Sequence, residues 1–267
     1  MPKPLAVQLY TFRDPERFGG AGLGLDPATL EALAAIGYLG VETVDVPGGD
    51  AVLARRTLGD LGLAVTSAHT WASIDDLEAF DRAASAVADL GARTIIKSGS
   101  GFEAVWRVEA FANRLNDAAR IAARYGLRLA YHNHDVEMRP LDGVAVYRRM
   151  LERLDPAVVF QLDIFWVAVG SAVPAEVIEE LGPRVISLHL KDGSTLPSTA
   201  AGGETFVNVP VGDGVVEVGA AVAAAETQPS VEWLIVEFDH VDGSPIDAVR
   251  RSYDNLTSRG LGRGRGS

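Results

Sequence analysis

Cysteine is absent from the 267 residues. That excludes disulfides and thiolate metal sites, leaves nitrogen and oxygen as the strong metal donors, and fits a cytoplasmic protein without requiring one. Long apolar runs are missing too. Nothing approaches the roughly 18 residues of a membrane span, and the opening Met1-Pro2-Lys3-Pro4-Leu5 lacks a signal-peptide core. Positive charge is scarce: 24 Lys and Arg face 36 Asp and Glu, for a formal net charge of −12. Such a balance disfavours a broad polyanion-binding surface, so nucleic acid is not an expected partner. The 48% hydrophobic and 22% charged residues match an ordinary globular domain long enough to bury a sizeable core.

What is present is repetition. Short apolar runs rich in Val, Ile and Leu alternate with Ala/Leu-rich stretches of helical spacing. The pattern predicts strands at Leu5–Tyr10, Val41–Val44, Leu63–Ala68, Ala92–Lys97, Leu127–Ala130, Val158–Asp163, Val185–Leu190 and Trp233–Phe238. A helix follows each, opening at Asp26-Pro27, near Asp50, at Ser73, before Tyr125-Gly126, after Asp142-Gly143, at Pro174, after the long loop Asp192–Gly214, and at Ser244-Pro245. No two-strand hairpin is expected. Repeated strand–helix units require a parallel sheet, and eight of them in a chain near the ~250 residues of a closed (β/α)₈ TIM barrel favour that fold. An open doubly wound sheet is the competitor, weakened because no Gly-x-Gly-x-x-Gly follows the first strand. The expected organisation is one barrel domain over 1–259 with a flexible tail over 260–267.

Barrels of this kind place their active site at the C-terminal strand ends, and the polar residues sort by that rule. Tyr131-His132-Asn133-His134-Asp135-Val136-Glu137 crowds two histidines, an amide and two carboxylates at the end of the fifth strand. All five histidines fall at or just past strand ends: His69, His132, His134, His189 and His240. Glu42, Lys97, Asp163, Lys191 and Glu237 do the same. A lone buried histidine is commonly a satisfied core residue, and His240, Asp192 and Asp239 read equally well as loop residues. Asp163, His189 and Glu237 are harder to dismiss, because an unpaired charge in an apolar strand costs several kcal/mol. A divalent cation satisfies all three, and a sulfur-free ligand set suits Mn²⁺, Mg²⁺, Co²⁺ or Zn²⁺. The fifth strand would supply the fourth ligand, His132, with Glu137 as the competitor.

These segments together resemble the xylose isomerase-like barrel superfamily, in its sugar phosphate isomerase/epimerase branch. The resemblance rests on Tyr131–Glu137, Gln161-Leu162-Asp163-Ile164-Phe165-Trp166, Ser187-Leu188-His189-Leu190-Lys191-Asp192, Val236-Glu237-Phe238-Asp239 and the Gly-rich Pro210–Val216. It implies a metal held by Glu, Asp, His and Glu on strands five to eight, matched here by Asp163, His189 and Glu237. The departure is His132-Asn133-His134, where many relatives carry Glu-Asn-His, so His132 is expected in place of the usual glutamate.

The expected reaction is isomerisation or epimerisation of a sugar or keto-sugar through an enediolate. Glu237 would serve as ligand and base, with Glu137, His134 and Lys191 as candidates for the second proton transfer. His69, Glu42 and Lys97 would contact the substrate, and Trp71 or Trp166 would offer an apolar face to the ring. A metal-dependent lyase or dehydratase acting on a keto-sugar, inosose or 3-keto-glycoside is the alternative, since a second histidine can protonate a leaving oxygen. A non-catalytic sugar-binding subunit is another. The superfamily's abasic-site endonucleases would need more metal ligands and a cationic groove. A homo-oligomer stays open, because apolar outer helix faces look alike against solvent or a partner.

Overall fold

The structure, a computed structural model, describes residues 1–13, 26–46, 49–99, 101–197 and 207–266. Eight parallel strands close into a barrel: β1 (Leu5–Gln8), β2 (Gly40–Val44), β3 (Ala64–His69), β4 (Thr94–Ser98), β5 (Arg128–His132), β8 (Val159–Asp163), β9 (Val185–Leu190) and β10 (Trp233–Val236). Each pairs with its neighbours in sequence order, and β10 returns to β1 through Leu5, Ala6 and Val7 opposite Leu234, Ile235 and Val236. The helices α1 (Pro27–Ile36), α2 (Ala51–Asp60), α3 (Leu77–Asp89), α4 (Val105–Arg124), α5 (Val146–Arg153), α7 (Pro174–Leu181), α8 (Val218–Glu226) and α9 (Pro245–Ser258) connect or follow the strands. The expected (β/α)₈ TIM barrel is therefore the fold. Among the described residues no helix is long and apolar enough to cross a membrane.

Burial explains the closure. One large cluster, from Leu5 and Val7 through Phe80, Leu115 and Phe160 to Leu256, is buried and continuous. A separate small cluster joins Ile96, Ala130 and Ile186, with Val159 against it. Strand alternation puts Ala130 and His132 on one face of β5, and Val159 and Gln161 on one face of β8. The small apolar cluster thus lies one layer beneath a polar layer.

Several boundaries differ from the sequence-based expectation. The helix expected after Asp142-Gly143 is present as α5, but a hairpin that was not expected precedes it, with Asp142-Gly143 turning between β6 (Pro140–Leu141) and β7 (Val144–Ala145). Both turn residues have positive φ, 48° and 77°, as a type I′ turn requires and as Asp-Gly favours. A short α6 (Ile164–Val169) follows β8 directly, capped by Asp163. The cap of α3 is Asp76, whose side chain accepts from Ala79 N at 2.9 Å, rather than Ser73. The first strand stops at Gln8, and Leu9–Phe12 form a 3₁₀ turn. The Gly-rich loop after the first strand and the middle of the Asp192–Gly214 loop lie outside the described residues.

The tail also departs from expectation. Arg263 N donates to Lys3 O and Arg263 O accepts from Leu5 N, both at 3.0 Å, and Arg265 N reaches Gly37 O at 2.8 Å. Gly262 is packed so closely that a Cβ would meet Leu5 Cδ2 at 2.6 Å. Backbone pairing across the mouth of β1 holds the segment through Arg265, and glycine permits the close approach instead of fraying the chain. Deleting residues 260–267 is expected to lower stability by roughly 2–4 kcal/mol, the net worth of a few backbone bonds plus packing. An unchanged urea midpoint in the truncated chain refutes this.

Candidate active site

The site is built from its floor upward. Glu42 on β2 is fully buried, and its carboxylate accepts from Gln8 Nε2 at 2.7 Å, Gln161 Nε2 at 2.6 Å and Ser67 Oγ. His189 Nε2 approaches it at 2.5 Å and His69 Nε2 at 3.1 Å. Burial alone would raise this carboxyl, but the charges of His189 and His69 outweigh it and hold Glu42 well below the usual carboxylate range.

Gln161 carries the order upward. A carboxylate is acceptor only, so Glu42 forces the Gln161 amide nitrogen toward itself and leaves Oε1 facing the other way. That oxygen lies 3.1 Å from His132 Nδ1 and 2.9 Å from His69 Nε2. Both nitrogens must therefore carry hydrogen, which leaves the His132 Nε2 lone pair free for a ligand. Burial, with His189 and His69 nearby, keeps His132 neutral by pushing its pKa well below 6.5.

His189 on β9 lies between two carboxylates, with Nε2 on Glu42 and Nδ1 2.8 Å from Glu237 Oε2. Burial would lower its pKa, yet Glu237 and Glu42 raise it to about 10. Nδ1 is close enough for an ion pair but is not aligned as a hydrogen bond. Asp163 ends β8. Its Oδ1 caps α6 by accepting from Phe165 N and Trp166 N at 3.0 Å, and its Oδ2 turns inward. Burial raises the Asp163 carboxyl against the opposing pull of Lys191 and His189.

Lys191, just past β9, is 1% exposed and holds three carboxylates: Asp239 Oδ2 at 2.7 Å, Glu237 Oε2 at 2.9 Å and Asp163 Oδ2 at 3.2 Å. Burial would lower its pKa, but Asp163, Asp239 and Glu237 drive it well above 10.5. Lys191 and His189 outweigh burial at Glu237 and keep it ionised.

Above this layer opens a cavity of about 190 Å³, lined by Gln8, Tyr10, Val44, His69, Thr70, Trp71, Lys97, Ser98, His132, His134, Lys191, Glu237 and Asp239. Trp71 stands at the rim, 66% exposed. Lys97 Nζ donates to Thr70 O at 3.3 Å, and burial lowers its pKa against the pull of Asp45 and Asp75.

The loops around the cavity are pinned by side chains. Asn133 Oδ1 accepts from Asp163 N at 2.9 Å, tying the end of β5 to β8. Asp192 is buried and accepts from four backbone amides, Gly193 at 2.9 Å and Gly212, Gly214 and Val216 at 3.0 Å. A Cβ on Gly214 would lie 2.2 Å from Asp192 Oδ1, so only glycine fits there. Asn208 donates to Asp192 O at 3.0 Å and accepts from Asp239 N at 2.8 Å, linking this loop to the end of β10.

A profile of the xylose isomerase-like TIM barrel family matches residues 30–259. The chain belongs to that family. Its fold is that of a sugar phosphate isomerase/epimerase from Parabacteroides distasonis, at TM-score 0.79 and 20% identity over 98% of this chain and 96% of the other. It also resembles the probable 3-DHS dehydratase AsbF from Bacillus anthracis, at TM-score 0.76 and 15% identity over 96% and 99%. A third similar structure is the IOLI protein with a bound zinc atom, at TM-score 0.75 and 13% identity over 97% of each chain. No curated protein sequence matches the chain.

Among the described residues of this xylose isomerase-like barrel, two groups of side chains have donor atoms close enough for one metal ion: Asp163–His189–Glu237 and His69–His132–His189, each within 4.8 Å. The four residues expected as ligands are thus divided between two overlapping triples that share His189. Asp163 Oδ2 and His189 Nδ1 are buried without a hydrogen-bond partner, and both belong to the first triple. A hard dication fits two carboxylates and an imidazole held from behind by Glu42, the usual arrangement behind a metal-ligating histidine.

Other expected residues are placed differently. Glu137 is fully buried beside β5, where its carboxylate accepts from Tyr131 Oη and, at 2.8 Å, from His134 N. It therefore lies outside both triples and off the cavity wall. Glu42 is the floor rather than a substrate contact. Trp166 stands behind the site, 5.7 Å from Lys191 Nζ and 5.8 Å from the His134 ring, and does not line the cavity. His240 is exposed. The sequence reading passed over Gln8, Ser67, Thr70, Ser98 and Gln161. Gln8, Ser67 and Gln161 are polar residues in apolar strands, so the rule that found Asp163 would have found them.

Burial raises the Glu137 carboxyl to about 7, against the opposing effect of Tyr131 and the His134 amide. The native state then binds a proton that the unfolded chain, with a pKa of 4.5, has already lost. Stability is expected to fall by about 3 kcal/mol as pH rises from 4.5 to 7, and to show no further loss from this group above that. Glu137→Gln should flatten that slope in urea melts between pH 5 and 8. An unaltered slope contradicts the assignment.

Proposed function

We propose that the protein is a divalent-metal-dependent isomerase or epimerase acting on a sugar or keto-sugar. The observation that carries this reading is the Asp163–His189–Glu237 triple, with two buried atoms that make ion-pair contacts but no hydrogen bond, set below a cavity walled by histidine, lysine and an exposed indole. The size of that cavity, about 190 Å³, is below the ~300–1,000 Å³ usual for drug-sized ligands, and supports a substrate near the size of one sugar ring. Similar folds in proteins named as a sugar phosphate isomerase/epimerase and as a zinc-bound protein are in keeping with it.

Asp163, His189 and Glu237 would hold the cation, and His132 would offer Nε2 as a further ligand. When bound, such an ion supplies Lewis-acid polarisation of a carbonyl and acidifies the adjacent C–H. The remaining work falls to the chain's own groups. Glu237 stays ionised, and its contacts with His189 and Lys191 both fall on Oε2, which leaves Oε1 to take the proton from substrate carbon. His134, half-buried and lining the cavity, is kept neutral by burial and by Lys191, which lower its pKa. It is the group suited to returning the proton. Lys191 is not, because three carboxylates hold its ammonium protonated. Glu137 is off the cavity wall. His69 and Lys97 would donate to hydroxyls, and Trp71 would cover the ring.

A lyase is the second reading, favoured by His134 itself. With Glu137 withdrawn, the wall carries a neutral imidazole where a two-glutamate proton relay would need a second carboxylate, and an imidazole can equally protonate a leaving oxygen. Incubation with keto-sugars and 3-keto-glycosides in D₂O separates the two. Deuterium incorporated without fragmentation is expected, whereas a released aglycone or dehydrated product transfers the assignment to elimination. Metal analysis is expected to find about one divalent ion per chain, lost in Asp163→Ala and His189→Ala. A wild type that binds no divalent metal removes the enzymatic reading and leaves a sugar-binding role.

A further inference from the structure

The Lys191 ammonium and the candidate metal position use the same two carboxylates. Asp163 Oδ2 and Glu237 Oε2 face Lys191 Nζ at 3.2 and 2.9 Å, and these two residues supply both carboxylates of the Asp163–His189–Glu237 triple. The third partner, Asp239 Oδ2, is nearest at 2.7 Å and belongs to neither triple. Asp239 is also fixed independently of the metal residues. Its amide donates to Asn208 Oδ1 at 2.8 Å, and its carbonyl accepts from Arg13. An ammonium has three donors and no acceptor, and here all three can be matched by carboxylates.

Resting on the metal reading above, we propose that Lys191 is a built-in competitor for the cation. It shares Asp163 and Glu237 with the ion, and Asp239 is the carboxylate on which its charge rests when the ion is bound. In this arrangement Lys191 neutralises part of a buried cluster of carboxylates and thereby sets the metal affinity. The side chain need not leave the site. It need only exchange two of its three partners for the one the metal does not use.

The test is Mn²⁺ titration by calorimetry on metal-stripped full-length protein, alongside thermal melts. Lys191→Met is expected to bind Mn²⁺ at least tenfold more tightly than wild type, to melt lower when stripped, and to recover on saturation. Asp239→Asn, which removes the resting place, is expected to bind at least tenfold more weakly, and it provides a second readout if Lys191→Met does not fold. A wild type that binds Mn²⁺ while Lys191→Met binds no tighter overturns this inference and leaves the metal site intact. Binding by Lys191→Met alone supports it. No binding by wild type or either variant removes the metal reading and this inference together.

Discussion

One buried carboxylate holds the polar interior together. Glu42 gathers contacts from β1 through Gln8, from β3 through Ser67 and His69, from β8 through Gln161 and from β9 through His189. A charge at that depth is stable only when paired and hydrogen-bonded, so each donor's position is tied to the same anion. The consequence passes upward. Gln161 is oriented by Glu42, the tautomers of His132 and His69 follow from Gln161, and His189 presents Nδ1 to Glu237 because its other nitrogen is committed below. The chemistry of the cavity wall depends on a residue that the cavity does not touch.

Much of this was legible in the sequence. The alternation of apolar strands and Ala/Leu helices specified the barrel, because a parallel repeat has few other ways to bury both faces of its sheet. The clustering of histidines at strand ends pointed to the face on which the cavity opens. Depth was not legible. Glu42 and Lys97 both sit near strand ends, yet one lies beneath the site and the other on its wall, and only the strand stagger of the closed barrel separates them. Glu137 failed as a ligand candidate for a related reason: five residues beyond His132, its direction depends on a turn whose geometry the sequence does not state. The helix after Asp142-Gly143 was legible, but the hairpin was not, because each of its strands is only two residues long.

Membership of the xylose isomerase-like barrel family accounts for the frame and leaves the reaction to the side chains. Here the departure at His132-Asn133-His134 has a structural counterpart. Two imidazoles take the end of β5, their rings 5.2 Å apart, and the nearby glutamate is drawn into the layer around Tyr131. The cavity wall thus carries His132 and His134 from this segment but not Glu137.

Asp192 has a consequence of its own. Converging backbone amides in a Gly-rich loop after a late barrel strand are the usual means of seating a phosphate group. In this protein the four amides are already saturated by a carboxylate from the same loop, buried and fixed by the Gly214 contact. The chain carries its own anion where a phosphorylated ligand would otherwise find its cradle. Any ligand entering this barrel meets a loop whose demand for negative charge is already met from within.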